Sequence, residues 1–567
     1  MLGPDSQAPG LTNHYTVLLY PFVHALGEGA ARQKRLALLG QRWQSWWVRP
    51  GEMHGRADEI SVIHHKLEAS DFFLPHARAL LYPETTLLEA QPPGWRCSNW
   101  ISTIRQLGEL PLEQMAEQLP SDGVLHLTAR PAMQDYLRHL SVLPPPDYHG
   151  TPGQAIDVEL LWADLYLFHA HWGFLALKLR LRDRDADIDR LMELNRNLAP
   201  IQPRWLAGRS ALVLLRDGSQ WTMGEWLSFL LQGLVEPELP GTLTPAGPVR
   251  LPDEHLYTDS HDARAYGPRC LMLSYACVPG ADTVEPGVFT SGADRLLYEL
   301  AMGMRLDDSI ASSAWVPTRE MAENVLREHR FHDWNCWRGL MVKDGCYFLG
   351  TEAGGFADKQ LPFNVTRHYL PLYVYALHQH FSLLRFARTL TLEVARTDLH
   401  LFEARELLRG FIAFRNRYWF NVVTARPQGN RLYRLVQEGL EVPASFALVA
   451  NSVQGARDYY EGQWNQELGK LRLVLGLGKG LLLGVSGGAS MWLMQFAWFK
   501  YAASLGGAAV LLFVLVFCLP EHSALKAALR RWLRTLGGSW KRTPASPSPE
   551  MHADLPPVEE LPRRRAA

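Results

Sequence analysis

The sequence predicts a mixed α/β (α+β) cytoplasmic domain that leads through a long stalk helix into a two-helix transmembrane hairpin. Three observations predict it. Period-two alternation marks several segments before residue 363. Helical patterning, rich in leucine and aromatic residues, takes over from about Asn364. Two near-continuous apolar stretches, 473–495 and 501–520, then lie close to the C-terminus on either side of Lys500. The expected division is an α/β domain over 1–363 with a subdomain edge near 237–252, a helical region and stalk over 364–470, the hairpin over 471–520, and a basic, then Pro/Ser-rich tail over 521–567.

Taken in order, the first strand is the apolar run Tyr15 to Tyr20, and Gly123 to Ala129 is another. A β-hairpin is predicted from Ile156–Phe168 and Phe174–Leu181 around a turn at His169–Gly173. In its second arm Phe174, Ala176, Lys178 and Arg180 alternate with Leu175, Leu177, Leu179 and Leu181. Asp187 to Asn197 reads as a short helix. Cys270–Val278 and Trp337–Leu349 read as strands, the latter folding back across Lys343-Asp-Gly345. Tyr369–Val394 is a buried helix rather than a span, because His378, His380, Arg385 and Arg388 interrupt it. Asp398–Val423 is a second helix, Pro427-Gln-Gly429 marks a break before a short helix to about Glu438, and Pro443 opens the stalk.

The hairpin follows from length and charge. A hydrocarbon core about 30 Å thick needs roughly 20 apolar residues per helix. Tyr501–Pro520 contains no charged residue or histidine, and the upstream stretch contains only Lys479. Lys470 and Arg472 precede it, and Lys526, Arg530, Arg531 and Arg534 follow it, so both termini are expected in the cytoplasm. The alternative is a helical hairpin buried in a protein core. Gly476, Gly480, Gly484 and Gly488 recur every four residues and suit close helix packing. Lys479, Ser486 and Ser490 share another side, which suits either a pore lining or back-bonded hydroxyls and a snorkelling lysine. Asp458, Glu461 and Glu467 precede the span and could attract cations to its mouth, or form an ordinary exposed helix face.

Composition excludes other classes. Lys and Arg total 57 against 58 Asp and Glu, so no general attraction to nucleic acid is implied. The six cysteines, Cys97, Cys270, Cys277, Cys336, Cys346 and Cys518, form no CxxC pair and read as reduced thiols. His329 and His332, followed by Asp333, form a His-x-x-His pair that could share a metal on a helix, but the irregular sequence around them favours solvated or hydrogen-bonded histidines. The pairs His64-His65 and His378/His380 and the aspartates 183, 185, 187 and 189 lack metal-site spacing. Trp43, Trp46 and Trp47 read as packing residues. No catalytic constellation emerges, so no enzyme is expected.

Several motifs together resemble the CorA-like divalent-cation transporter group. They are Phe411-Ile-Ala-Phe-Arg-Asn-Arg-Tyr-Trp-Phe420, Pro427-Gln-Gly429 with Tyr433, Val442-Pro443 opening a long helix, and the terminal hairpin. The 156–181 hairpin and Trp334-Asn-Cys-Trp-Arg-Gly339 look like large bacterial members of that group. The resemblance implies a homo-oligomer, a pentamer, in the bacterial inner membrane, with first spans lining a pore for Mg²⁺ or another divalent cation and no resident cofactor. The family's Gly-Met-Asn signature is matched only by Met491 within Ser490-Met491-Trp492. The expected function is therefore an ion channel or transporter with a cytoplasmic regulatory domain. The alternative is a membrane-tethered sensor or protein-interaction module.

Overall fold

The computed structural model describes residues 9–48, 59–89, 97–146, 153–169, 172–182, 186–201, 211–235, 269–284, 288–306, 317–394 and 401–455, with a few helical positions between 457 and 473. The chain divides into two compact units, Met1–Tyr460 and Glu461–Ala567, and the elements below belong to the first.

Among the described residues twelve strands build one sheet. They are β1 (Asn13–Val23), β2 (Trp43–Ser45), β3 (Leu125–Ala129), β4 (His139–Leu143), β5 (Ile156–Leu167), β6 (Trp172–Leu181), β7 (Leu212–Leu215), β8 (Gln220–Thr222), β9 (Leu271–Cys277), β10 (Arg330–Trp334), β11 (Trp337–Val342) and β12 (Gly345–Gly350). The spatial order is β10-β11-β12-β9-β1-β6-β5-β4-β7-β8, and β2 joins through β3 to the far half of β5. Every pairing is antiparallel except β12 on β9.

The described helices are α1 (Gly29–Leu39), α2 (Glu59–Ser70), α3 (Pro75–Leu81), α4 (Glu84–Glu89), α5 (Cys97–Glu109), α6 (Leu112–Gln118), α7 (Pro131–Leu137), α8 (Ile188–Leu198), α9 (Met223–Leu230), α10 (Gly292–Met302), α11 (Arg319–His329), α12 (Phe356–Lys359), α13 (Leu361–Asn364), α14 (Leu370–Val394), α15 (Leu401–Tyr418) and α16 (Pro427–Gly439), and a further helical run covers 442–455, where Pro443 was expected to open a helix. A π-helix, Val365–Tyr369, joins α13 to α14. The Asp187 side chain accepts from the Arg190 amide and starts α8, as the short-helix pattern predicts. The short helix expected up to about Glu438 is α16, and Pro427 opens it at its first turn, where its missing N–H removes no bond.

Helices cover both faces of the sheet. On the first face Leu175, Leu177 and Leu179 of β6 meet α8, α9 and α10 through residues such as Leu191, Leu227 and Leu297. On the second face Phe174 and Ala176 meet α3, α14, α15 and α16. A register shift between Leu160 and Trp162 decides what lies there. One extra residue in a strand moves every later side chain to the opposite face. Val158 and Leu160 face the first core, whereas beyond the shift Trp162 and Tyr166 face the second.

The transmembrane part of the expected fold is corrected. Among the described residues no helix is long and apolar enough to cross a membrane. The longest, α14 with 25 residues, spends its apolar side chains on the second core and carries buried His378, Gln379 and His380. The observed class is a mixed α/β fold on one large sheet. The two apolar stretches, 473–495 and 501–520, lie almost wholly outside the described residues. The ion channel, its membrane-tethered alternative, and the two-span inner-membrane placement therefore have no described element behind them and are withdrawn.

Candidate functional site

On the second face a seam of polar side chains crosses an otherwise apolar core. Lys178, on β6, is only 4% exposed. Its ammonium sits 4.1 Å from the Tyr15 ring centroid and donates to Thr366 Oγ1 at 3.2 Å. Such a contact holds a desolvated cation against the negative face of a ring. On β5, Asp164 lies 3.3 Å from His126 Nε2 of β3, both side chains nearly fully buried. The register shift in β5 places the carboxylate on this side. The His126 ring is stacked between Tyr166 at 4.0 Å and Trp46 at 4.7 Å. Lys66 of α2 lies over Trp46 at 4.5 Å and donates to the carbonyls of Trp46 and Trp47.

The π-helix closes the seam from above. Four successive side chains go to separate partners. Thr366 bonds Tyr15 and Lys178. Arg367 donates to the carbonyl of His65 in α2. His368 stacks on Phe72 at 4.5 Å, and Tyr369 stacks on Phe348 and Trp337. π-Helical turns are uncommon and recur at functional sites.

At the outer end of the seam Arg367 is one-third exposed, and its nearest carboxylate, that of Glu68, is 3.9 Å away. Burial holds its guanidinium below its ordinary value, while Glu68 pulls it back up. Glu68 is half-exposed and is shared with His64 at 3.5 Å and His65 at 3.1 Å. Beneath α2, the fully buried Glu84 has its carboxyl pushed up to about 7 by desolvation, against its own backbone amide and a hydrogen bond from Trp47. Its Oε1 has no hydrogen-bond partner.

The residues singled out in the sequence are not brought together here. Lys479, Ser486, Ser490, Met491, Gly476, Gly480, Gly484 and Gly488 lie outside the described residues, as do Glu461, Glu467 and the aspartates 183 and 185. Asp458 is exposed and accepts from Gln454 at 3.0 Å. His329 and His332 do not converge with Asp333, which pairs with Arg431 of α16. Asp189 pairs with Arg305 at 2.8 Å. Among the described residues no group of three or more His, Cys, Asp and Glu could hold a metal ion. Trp43 packs in the first core and Trp47 in the second, so the tryptophan cluster straddles the sheet.

Sequence reasoning left Lys178, Asp164, His126, Lys66, Glu84 and Arg367 without a role. Lys178 occupied the polar phase of an alternating strand, which reads as solvent-facing until a second helical layer is known. Compared with protein-family models, with curated proteins and with solved structures, the chain matches none.

Proposed function

We propose that the described body is a binding module for a small anionic ligand, a carboxylate or a phosphate, received by Arg367 at the open end of the polar seam. The observation that carries this reading is the state of that guanidinium. An arginine offers five N–H donors in a planar fork. Arg367 is largely withdrawn from water, gives one hydrogen bond to a carbonyl, and faces one carboxylate at the outer limit of an ion pair. An oxyanion arriving through the exposed third of the side chain would supply the bidentate partner that the fork favours.

The seam behind Arg367 supports this role. Lys66 and Lys178 add positive charge, and Asp164 is engaged with His126. Glu84, held near neutrality, contributes less than a full negative charge at pH 7. The reading is of binding rather than catalysis. Burial raises the thiols of Cys277, Cys336 and Cys346, and pushes Cys270 up to about 12, so these four are poor nucleophiles.

The test is isothermal titration calorimetry of the full chain with inorganic phosphate and with succinate. Saturable binding of at least one, lost in Arg367→Ala and weakened in Arg367→Lys, is the expected result. No heat from either anion, or the same affinity in Arg367→Ala, would overturn the proposal.

A further inference from the structure

We propose that an internal water is bound in the second core between α14 and the end of the β5–β6 hairpin, where it bridges His378 to Ser382. The inference is independent of the Arg367 site. His378 is fully buried, and neither ring nitrogen has a hydrogen-bond partner. Its ring is stacked on Phe168 at 4.0 Å and 11°, with Tyr418 of α15 at 4.5 Å and Phe414 at 6.3 Å. Phe168 and Phe414 offer the imidazole no polar group, and the Tyr418 hydroxyl makes no hydrogen bond to it. Burial drives its basicity down to about 3, so the ring is neutral and presents one donor and one acceptor.

Ser382 follows one turn later on the same side of α14. It is 4% exposed, and its Oγ also has no partner. A third orphan is the indole N–H of Trp172, whose ring packs on Phe381 at 5.3 Å. Buried polar atoms are almost always bonded, and an ordered water is the usual partner when protein is not. A water needs two to four polar neighbours, and the donor–acceptor ring of His378 and the hydroxyl of Ser382 supply two. An apolar guest would leave both unmatched. The chemical class of the occupant is thus a small neutral molecule that both donates and accepts.

The experiment uses the full chain labelled with ¹⁵N-histidine. His378→Phe assigns the signal by deleting it. In the wild type the unprotonated ring nitrogen is expected to resonate upfield, as a bonded acceptor does, and to move downfield in Ser382→Ala. A wild-type signal at the position of an unbonded imidazole, or one unmoved in Ser382→Ala, would overturn the bridge. Should the variants not fold, a crystal structure of the wild type decides. A density peak about 2.7–3.2 Å from both Ser382 Oγ and one His378 nitrogen supports the proposal. A dry site, or a peak touching only one of them, refutes it.

Discussion

The two faces of the central sheet are built from the same strands and satisfy their buried polar groups differently. On β6 the first face presents Leu175, Leu177, Leu179 and Leu181, all buried in an apolar core. The second face of that strand presents Phe174, Ala176 and then Lys178, buried to 4% exposure. The first face has its own polar knot, in which Thr16, Asn195 and Ser274 bond one another at 2.6–3.2 Å, but it is neutral. Both faces bury charge, but in different partnerships. On the first, Arg338 of β11 pairs with Asp294 of α10 at 3.2 Å and Glu299 takes Arg295 and Arg305, whereas on the second Lys178 meets a hydroxyl and a ring beside the Asp164–His126 pair. Neutral hydrogen bonds fix α8 on the sheet, whereas buried charge demands partners from several elements at once, and the π-helix supplies part of that demand.

Four measurements break or sharpen this contrast. The largest effect is expected on the first face. Leu177→Ala should lower unfolding free energy by about 2–5 kcal/mol in chemical denaturation, through lost transfer energy and a residual cavity. A loss below about 1 kcal/mol would mean that this core is loosely packed. Next, Asp164→Ala should destabilise by about 3 kcal/mol, because it leaves His126 buried without its carboxylate. The paired change Asp164→Leu with His126→Leu should recover part of that loss. If it is worse than either single change, the seam holds the fold by its polar bonds.

The third measurement is the pH dependence of stability. Burial lowers His14 to about 4, with Arg180 acting in the same direction. It also lowers His368 to about 4, helped by Arg367 and Arg426, and His378 to about 3. Unfolded, these rings take protons near pH 6.5; folded, they refuse them until about pH 4. The unfolded state therefore binds more protons across that window, and stability should fall as pH drops from 6.5 to 4. Glu84 works in the opposite sense. Its folded value of about 7 exceeds the ordinary 4.5, so between these limits the folded state binds the extra proton and stability falls as pH rises. Glu84→Gln should remove that component and steepen the acid-side loss. An unchanged profile would place Glu84 in contact with water.

The smallest effect is expected at the rim. Arg367→Ala should change stability by about 0.5 kcal/mol or less, since its one ion pair is long and its carboxylate half-exposed. It should nonetheless abolish anion binding. A large destabilisation would recast Arg367 as a clamp between the π-helix and α2.

Much of the sheet was legible. The alternation over 156–181 predicts β5 and β6, and the Lys343-Asp-Gly345 turn predicts the β11–β12 hairpin. The short strands β7, β8 and β10 were not legible, since three to five residues carry too little periodicity. The apolar length at the C-terminus suggested lipid as its solvent, yet no described helix bears that reading out. The site was less legible than the fold. A lysine in a polar phase signals solvent, and nothing local to Lys178 announces the threonine 188 positions later that bonds it.

The sequence by itself determined the local rhythm of this protein: which segments extend, where the main hairpins turn, and that His378, His380, Arg385 and Arg388 make α14 a buried helix rather than a span. Only the tertiary structure decided which side of each strand is covered, and by what. One extra residue at Leu161 turns Asp164 toward His126, and helices from distant parts of the chain then close over both. Periodicity is a property of neighbours along the chain, whereas burial of charge depends on the partners that folding brings to it.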